Sequence, residues 1–99
     1  MAELTYDKLS AAGIEAELPS VPNWTIEEGE LTRRFTFETY KDGLVFAVAV
    51  GYAADELNHH PELTIGIGHV RVSLVTHEAG GGLTAYDFEF ARRVDRLGR

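Results

Sequence analysis

Three of the four histidines in this 99-residue chain fall in a short span, as His59-His60-Pro61 and as His77 within Thr76-His77-Glu78. Histidine is the side chain whose ordinary pKa puts a change of charge near neutral pH. One protonated and one neutral imidazole held together would supply an acid and a base at pH 7. Proton transfer is therefore the chemistry these residue types suit. Three histidines also suit zinc. Adjacent residues on a helix, however, point roughly 100° apart, and a helical pair that shares one ion is spaced by four. His59 and His60 would converge only if a helix ended between them, and no companion carboxylate motif is evident, so no metal is expected. The plain alternative is a polar helix end at His59-His60 and a surface strand end at His77.

Two carboxylates accompany the histidines. Asp55 lies one helical turn before His59, on the same face, where it could orient that imidazole or serve as a surface ion-pair partner. Asp87 is the fourth residue of Thr84-Ala85-Tyr86-Asp87, a capping box, and satisfying the Thr84 amide would explain it without any catalysis. His69 follows Gly68 in an expected turn and reads as a solvated loop residue. Gly80-Gly81-Gly82 could let a ligand approach the backbone, but the run lacks the lysine of a phosphate loop.

The chain is long enough for one domain, 1–99, with a modest core. It contains no cysteine, which excludes disulfides, thiolate nucleophiles and cysteine metal sites. A net charge of −7 argues against a nucleic-acid binder. No apolar run reaches membrane-span length, and no secretory leader is evident. A cytoplasmic protein is expected.

The elements that must position the imidazoles follow from patterning. Thr5 caps a first helix from Lys8 to Ala16, with Leu9, Ala12 and Ala16 at helical spacing, ended by Pro19 and Pro22. Trp24 to Glu27 and Glu30 to Phe37 form a hairpin around Glu28-Gly29; Leu31, Arg33, Phe35 and Phe37 share one face. Thr39 to Asp42 resembles a capping box. The run from Leu44 to Asn58 that follows is long enough to favour a helix. Ala47, Val50, Gly51, Ala54 and Leu57 make one stripe, with Val45, Val48, Ala49 and Tyr52 apolar on other faces. A helix apolar nearly all round is buried on more than one side, so a second subunit is expected against it. Pro61 ends this helix. Leu63 to Ile67 and Val70 to Val75 alternate as two further strands. Thr84 begins a last helix with Phe88, Ala91 and Val94 inward and Arg92, Arg93 and Arg96 toward its end. The order α-β-β-α-β-β-α predicts an α+β fold, a four-stranded antiparallel sheet with three helices packed on one face.

Asp55-x-x-x-His59-His60-Pro61, Thr76-His77 fifteen residues past the proline, and Gly-Leu-Thr-x-x-Asp at Gly82 to Asp87 resemble the signature of the pterin-4a-carbinolamine dehydratase family. Trp24, Leu31-x-Arg33-x-Phe35-x-Phe37 and Ala54 extend the resemblance, which covers about Leu18 to Leu97. It implies a lyase that removes water from a 4a-hydroxytetrahydropterin to give quinonoid dihydropterin, in tetrahydrobiopterin recycling, with no metal or redox cofactor. It further implies His59 and His77 as proton donors or acceptors and His60 as a pterin-binding third histidine. Asp55, Asn58, Thr76, Glu78 and Asp87 would contact substrate, with Thr76 and its neighbours lining the ring. A homo-oligomer, dimer or tetramer, is implied as well. The chain departs from the family at Leu63 and Ile67, where aromatics are usual, and in a glycine run one residue longer. Some relatives with this fold are assembly or dimerisation factors, which gives the alternative of a non-catalytic binding module.

Overall fold

Alternation of apolar and polar residues builds four strands, and two longer 3.6-residue patterns build the helices that cover them. The computed structural model describes residues 4–97. The elements run α1 (Ala11–Glu17), β1 (Thr25–Glu27), β2 (Glu30–Thr36), α2 (Tyr40–Leu57), β3 (Glu62–Ile65), β4 (His69–Leu74) and α3 (Ala85–Asp95). This is the predicted α+β order. The sheet is antiparallel in the order β1-β2-β4-β3.

Register fixes what each sheet face carries. Leu31, Arg33 and Phe35 of β2 stand opposite Leu74, Val72 and Val70 of β4. Five of these six are buried, all but Arg33. They form the core with Phe46, Val50, Ala53 and Ala54 of α2 and Phe88, Phe90, Ala91 and Val94 of α3. The other face carries Glu30, Thr32 and Arg34 with Arg71 and Ser73. Its side chains bond to one another, as in Arg71 to Glu27 at 3.2 Å and Arg34 to His69 at 3.1 Å. The Glu28-Gly29 hairpin turn has positive φ at both residues, 52° and 81°, the twist a two-residue hairpin needs.

Several boundaries differ from the sequence reading. The first helix is capped by Ser10, whose hydroxyl accepts from the Gly13 amide, and not by Thr5. Leu9 is held outside the helix by its amide bond to the Leu83 carbonyl at 2.8 Å. That shift turns Ile14 and Leu18 toward the core and leaves Ala12 and Ala16 exposed. Along α2 the buried stripe is Gly43, Phe46, Val50, Ala53 and Ala54; Ala47, Gly51 and Leu57 are half-buried. Val45, Val48 and Tyr52 are 64%, 60% and 72% exposed. The third strand stops at Ile65 because Gly66 already bonds across the turn to the His69 carbonyl. Ile67 is consequently exposed at the tip, and His69, expected in the turn, opens β4.

Candidate active site

The end of α2 decides where the paired histidines go. Thr39 starts the helix by accepting from the Asp42 amide. Asn58 ends it in the left-handed conformation, φ 52° and ψ 44°, a cap that lets the chain double back. The His59 amide then reaches the Ala54 carbonyl at 3.1 Å. Beyond this cap the consecutive imidazoles part. His59 is buried, 5% exposed, while the His60 side chain is 59% exposed.

His59 meets a buried carboxylate. Its Nε2 lies 2.6 Å from Oδ1 of Asp87, which is itself fully buried. The other oxygen of Asp87 accepts from the Thr76 hydroxyl at 2.7 Å and from the Thr84 amide at 2.9 Å. Thr76 and Thr84 also share a hydroxyl bond at 2.9 Å. An ionised carboxylate only accepts, so the first bond puts a proton on His59 Nε2. Asp87 is thus both the capping-box residue of α3 and the clamp on two distant segments. The residues it holds, His59 and Thr76, immediately precede His60 and His77 in the chain. On its far side the His59 ring lies 5.6 Å from Tyr86, which stacks on Tyr6 at 4.4 Å. The Tyr6 phenol is raised above its usual pKa, first by desolvation and then by Tyr86 and Glu78.

His77 opens a single 3-10 turn, His77–Ala79, that closes through Gly80 and Gly81 at φ 68° and 89°. Turn geometry is what these two glycines supply. The turn leaves His77 exposed. His60 and His77 line one cleft of about 130 Å³ with Glu30, Glu62, Ser73 and Val75. His60 and Pro61 also border a groove of about 360 Å³ along the outer side of α2, where Leu63 and Tyr52 lie. A larger hollow, about 660 Å³, sits around Phe37 and Val45 and contains no histidine, so size alone does not mark the site.

The remaining predicted residues distribute as follows. Asp55 pairs with His60, Nε2 to Oδ1 at 3.1 Å, and not with His59, because the left-handed cap removes His59 from the helical face. Thr76 is fully buried against Asp87. Asn58 and Glu78 are exposed. Leu63 borders the outer groove, whereas Ile67 lies 84% exposed at the β3–β4 turn. Among the described residues no three metal-ligating side chains are grouped to hold an ion. Glu30 and Ser73 were missed by the motif reading. Strand alternation was the signal that could have found them, since Ser73 stands opposite both Thr32 and Glu62.

Two imidazoles thus border one cleft on an α+β scaffold, and the residue before each of them is held by one buried carboxylate. Residues 7–97 match the family model described as Pterin 4 alpha carbinolamine dehydratase, and the chain belongs to that family. It is 45% identical over 91 residues to a Natronomonas pharaonis protein named "Putative pterin-4-alpha-carbinolamine dehydratase", covering 92% of this chain and 96% of the relative. A Halobacterium salinarum protein of the same name is 46% identical over 89 residues, covering 90% and 94%. The crystal structure of a transcriptional coactivator/pterin dehydratase from Brucella melitensis superposes with a TM-score of 0.86 at 25% identity, covering 94% of this chain and 100% of that one. A pterin dehydratase-like protein identified as a RuBisCO assembly factor in the alpha-carboxysome gives 0.59 at 27% identity, covering 75% and 84%.

Proposed function

We propose that this protein dehydrates a 4a-hydroxytetrahydropterin to quinonoid dihydropterin and water, with His60 and His77 at the reacting centre. The observation that carries this reading is the single cleft shared by those two imidazoles in a member of the dehydratase family. The N5 lone pair forms the C4a=N5 bond as the C4a–O bond breaks. One imidazolium gives its proton to the departing hydroxide, and the other imidazole, neutral, takes the proton from N5. The two transfers balance, so the proton count of the enzyme is unchanged; the imidazolium and the neutral imidazole have exchanged places, and one proton passing back between them through solvent restores the starting state. The cleft is too small to engulf a bicyclic ring and receives it edge first.

His59 has a different part in this scheme. Its Nε2 is committed to Asp87 and its ring is 5% exposed, so we assign it to positioning. Asp55 steadies His60 from the solvent side, and Thr76 acts through Asp87. The proposal includes a homo-oligomer, supported by the exposed Val45, Val48 and Tyr52 along one side of α2; contiguous apolar surface of this kind favours association.

The test is the absorbance change as freshly generated 4a-hydroxytetrahydropterin is converted. Wild type is expected to exceed buffer clearly, and His77→Ala to lower the rate by about 100-fold or more while leaving thermal stability near wild type. Folded wild-type protein that does no better than buffer would refute the dehydratase reading and leave the non-catalytic assembly role standing.

A further inference from the structure

We propose that Glu30 is the specificity anchor of the cleft, accepting the 2-amino and N3–H donors of the substrate's pyrimidine ring. This rests on the dehydratase reading and adds to it the feature by which the substrate is chosen and oriented.

The cleft has a mouth and a floor. Its histidines are at the mouth, with His77 exposed and the His60 side chain 59% exposed. Ser73 is at the floor, 4% exposed, and the half-buried Glu30 lies against it. The Ser73 hydroxyl donates to Oε1 of Glu30. The sheet register makes that bond possible. Thr32 stands opposite Ser73, and Glu30, two residues earlier on the same strand, shares its face. A long side chain held in this way has already lost the rotamer freedom that binding would otherwise cost. Among the described residues Ser73 is the only hydrogen-bond partner of this carboxylate. A carboxylate offers about four acceptor positions, so this one, which lines the cleft, keeps acceptor capacity beyond the Ser73 bond.

The substrate's chemistry fits that floor in one orientation. A reduced pterin has one edge with two adjacent N–H donors, the 2-amino group and N3–H. A carboxylate takes such a pair through two parallel, charge-assisted bonds. With that edge on Glu30, C4a follows two bonds behind N3, and N5 is attached to C4a. The atoms that lose hydroxide and proton are thereby carried to the mouth, where His60 and His77 stand. Glu62 also borders the cleft but is exposed and has no tether from Ser73. Glu27, which stands opposite Glu30 on β1, is already engaged by Arg71.

The experiment uses the full chain with two probes. One is turnover of the 4a-hydroxy forms of a tetrahydropterin and of its 2-desamino analogue; the other is binding of 7,8-dihydropterin, followed by its fluorescence. Glu30→Gln keeps the shape but turns an amide N–H toward the ring donors. It is expected to raise KM and the dihydropterin Kd by about tenfold or more, with kcat within about threefold of wild type. The wild-type preference for the amino substrate should collapse toward unity in this variant. Ser73→Ala, which frees the carboxylate without removing it, should give a smaller rise of about threefold, and it carries the test if Glu30→Gln does not fold. Glu15→Gln, exposed on α1 and outside the cleft, should change neither constant more than about twofold. Unchanged KM, Kd and discrimination in Glu30→Gln would overturn the anchor even if the wild type is an active dehydratase. Weakened dihydropterin binding in Glu30→Gln, with no turnover by the wild type, would keep the anchor and overturn the dehydratase reading. Wild type that neither binds nor turns over a pterin would overturn both.

Discussion

Replacing Asp87 with asparagine tests whether one buried carboxylate assembles the site. Asp87 accepts three bonds, from His59, Thr76 and the Thr84 amide, at 2.6, 2.7 and 2.9 Å. Asparagine offers one acceptor oxygen and an NH₂ group. If the oxygen stays on Thr76 and Thr84, the NH₂ meets His59 Nε2, and that imidazole must move its proton to Nδ1 to accept. All three bonds then lose the charge on the acceptor. Bonds to charged groups contribute about 1.5–3 kcal/mol against about 0.5–1.5 for neutral ones, so the loss is about 1 kcal/mol per bond and about 3 kcal/mol in all. For a domain of this length that lowers Tm by about 12–24 °C. Misplacing His60 and His77 by about an ångström should lower kcat by about 100-fold, measured well below the new Tm. Thermal unfolding by near-ultraviolet circular dichroism and the dehydration assay read the two effects. Thr39→Ala is the comparison. It removes the cap of α2 at about 1 kcal/mol without touching the clamp, and should leave kcat unchanged. Loss of stability without loss of kcat in Asp87→Asn would refute the clamp and reduce Asp87 to a helix cap.

Glu89 carries a pH prediction. Burial alone would raise its pKa, but bonds and charges from Arg93 and Arg92 outweigh that and hold it below the usual glutamate value. A lowered folded-state value means the ionised form stabilises the fold above the ordinary pKa of about 4.3, and that this stability is lost as pH falls through the lowered value. Glu89→Gln should therefore be less stable than wild type at pH 7 by about 1 kcal/mol, with the difference vanishing in urea titrations well below pH 4; a difference that persists there would refute it. Val48→Glu, placed on the exposed side of α2, should reduce the mass measured by light scattering toward that of one chain, and an unchanged oligomeric mass would move the interface elsewhere.

The elements of the fold were legible where period and capping agreed. Phe88, Ala91 and Val94 read as inward and are fully buried. Thr84 and Asp87 read as a capping box and form one. The first helix was misplaced because Thr5 and Ser10 are equally good caps locally, and the choice is made by the long-range bond from Leu9 to Leu83. The same limit applied at the site. Spacing put Asp55 beside His59, but a left-handed Asn58 cannot be read from helical periodicity, and it gives Asp55 to His60 instead. Cap and catalysis were weighed as rival roles for Asp87; that it caps α3 and also holds His59 and Thr76 with its two oxygens could not be read from the motif. Glu30 belongs to no motif, and it reaches the cleft only through the register of β2, β4 and β3.

The clamp also has a consequence for the order in which the molecule comes into being. His60 and His77 are synthesised before the residue that gathers their segments, and Asp87 lies 28 residues beyond His59. A nascent chain can carry the whole histidine signature and still have no site, because the carboxylate arrives only with the first turn of α3. Sheet and central helix can begin to fold on the ribosome as they emerge. The proposed proton-transfer capacity, by contrast, should switch on late and abruptly, when the last helix docks.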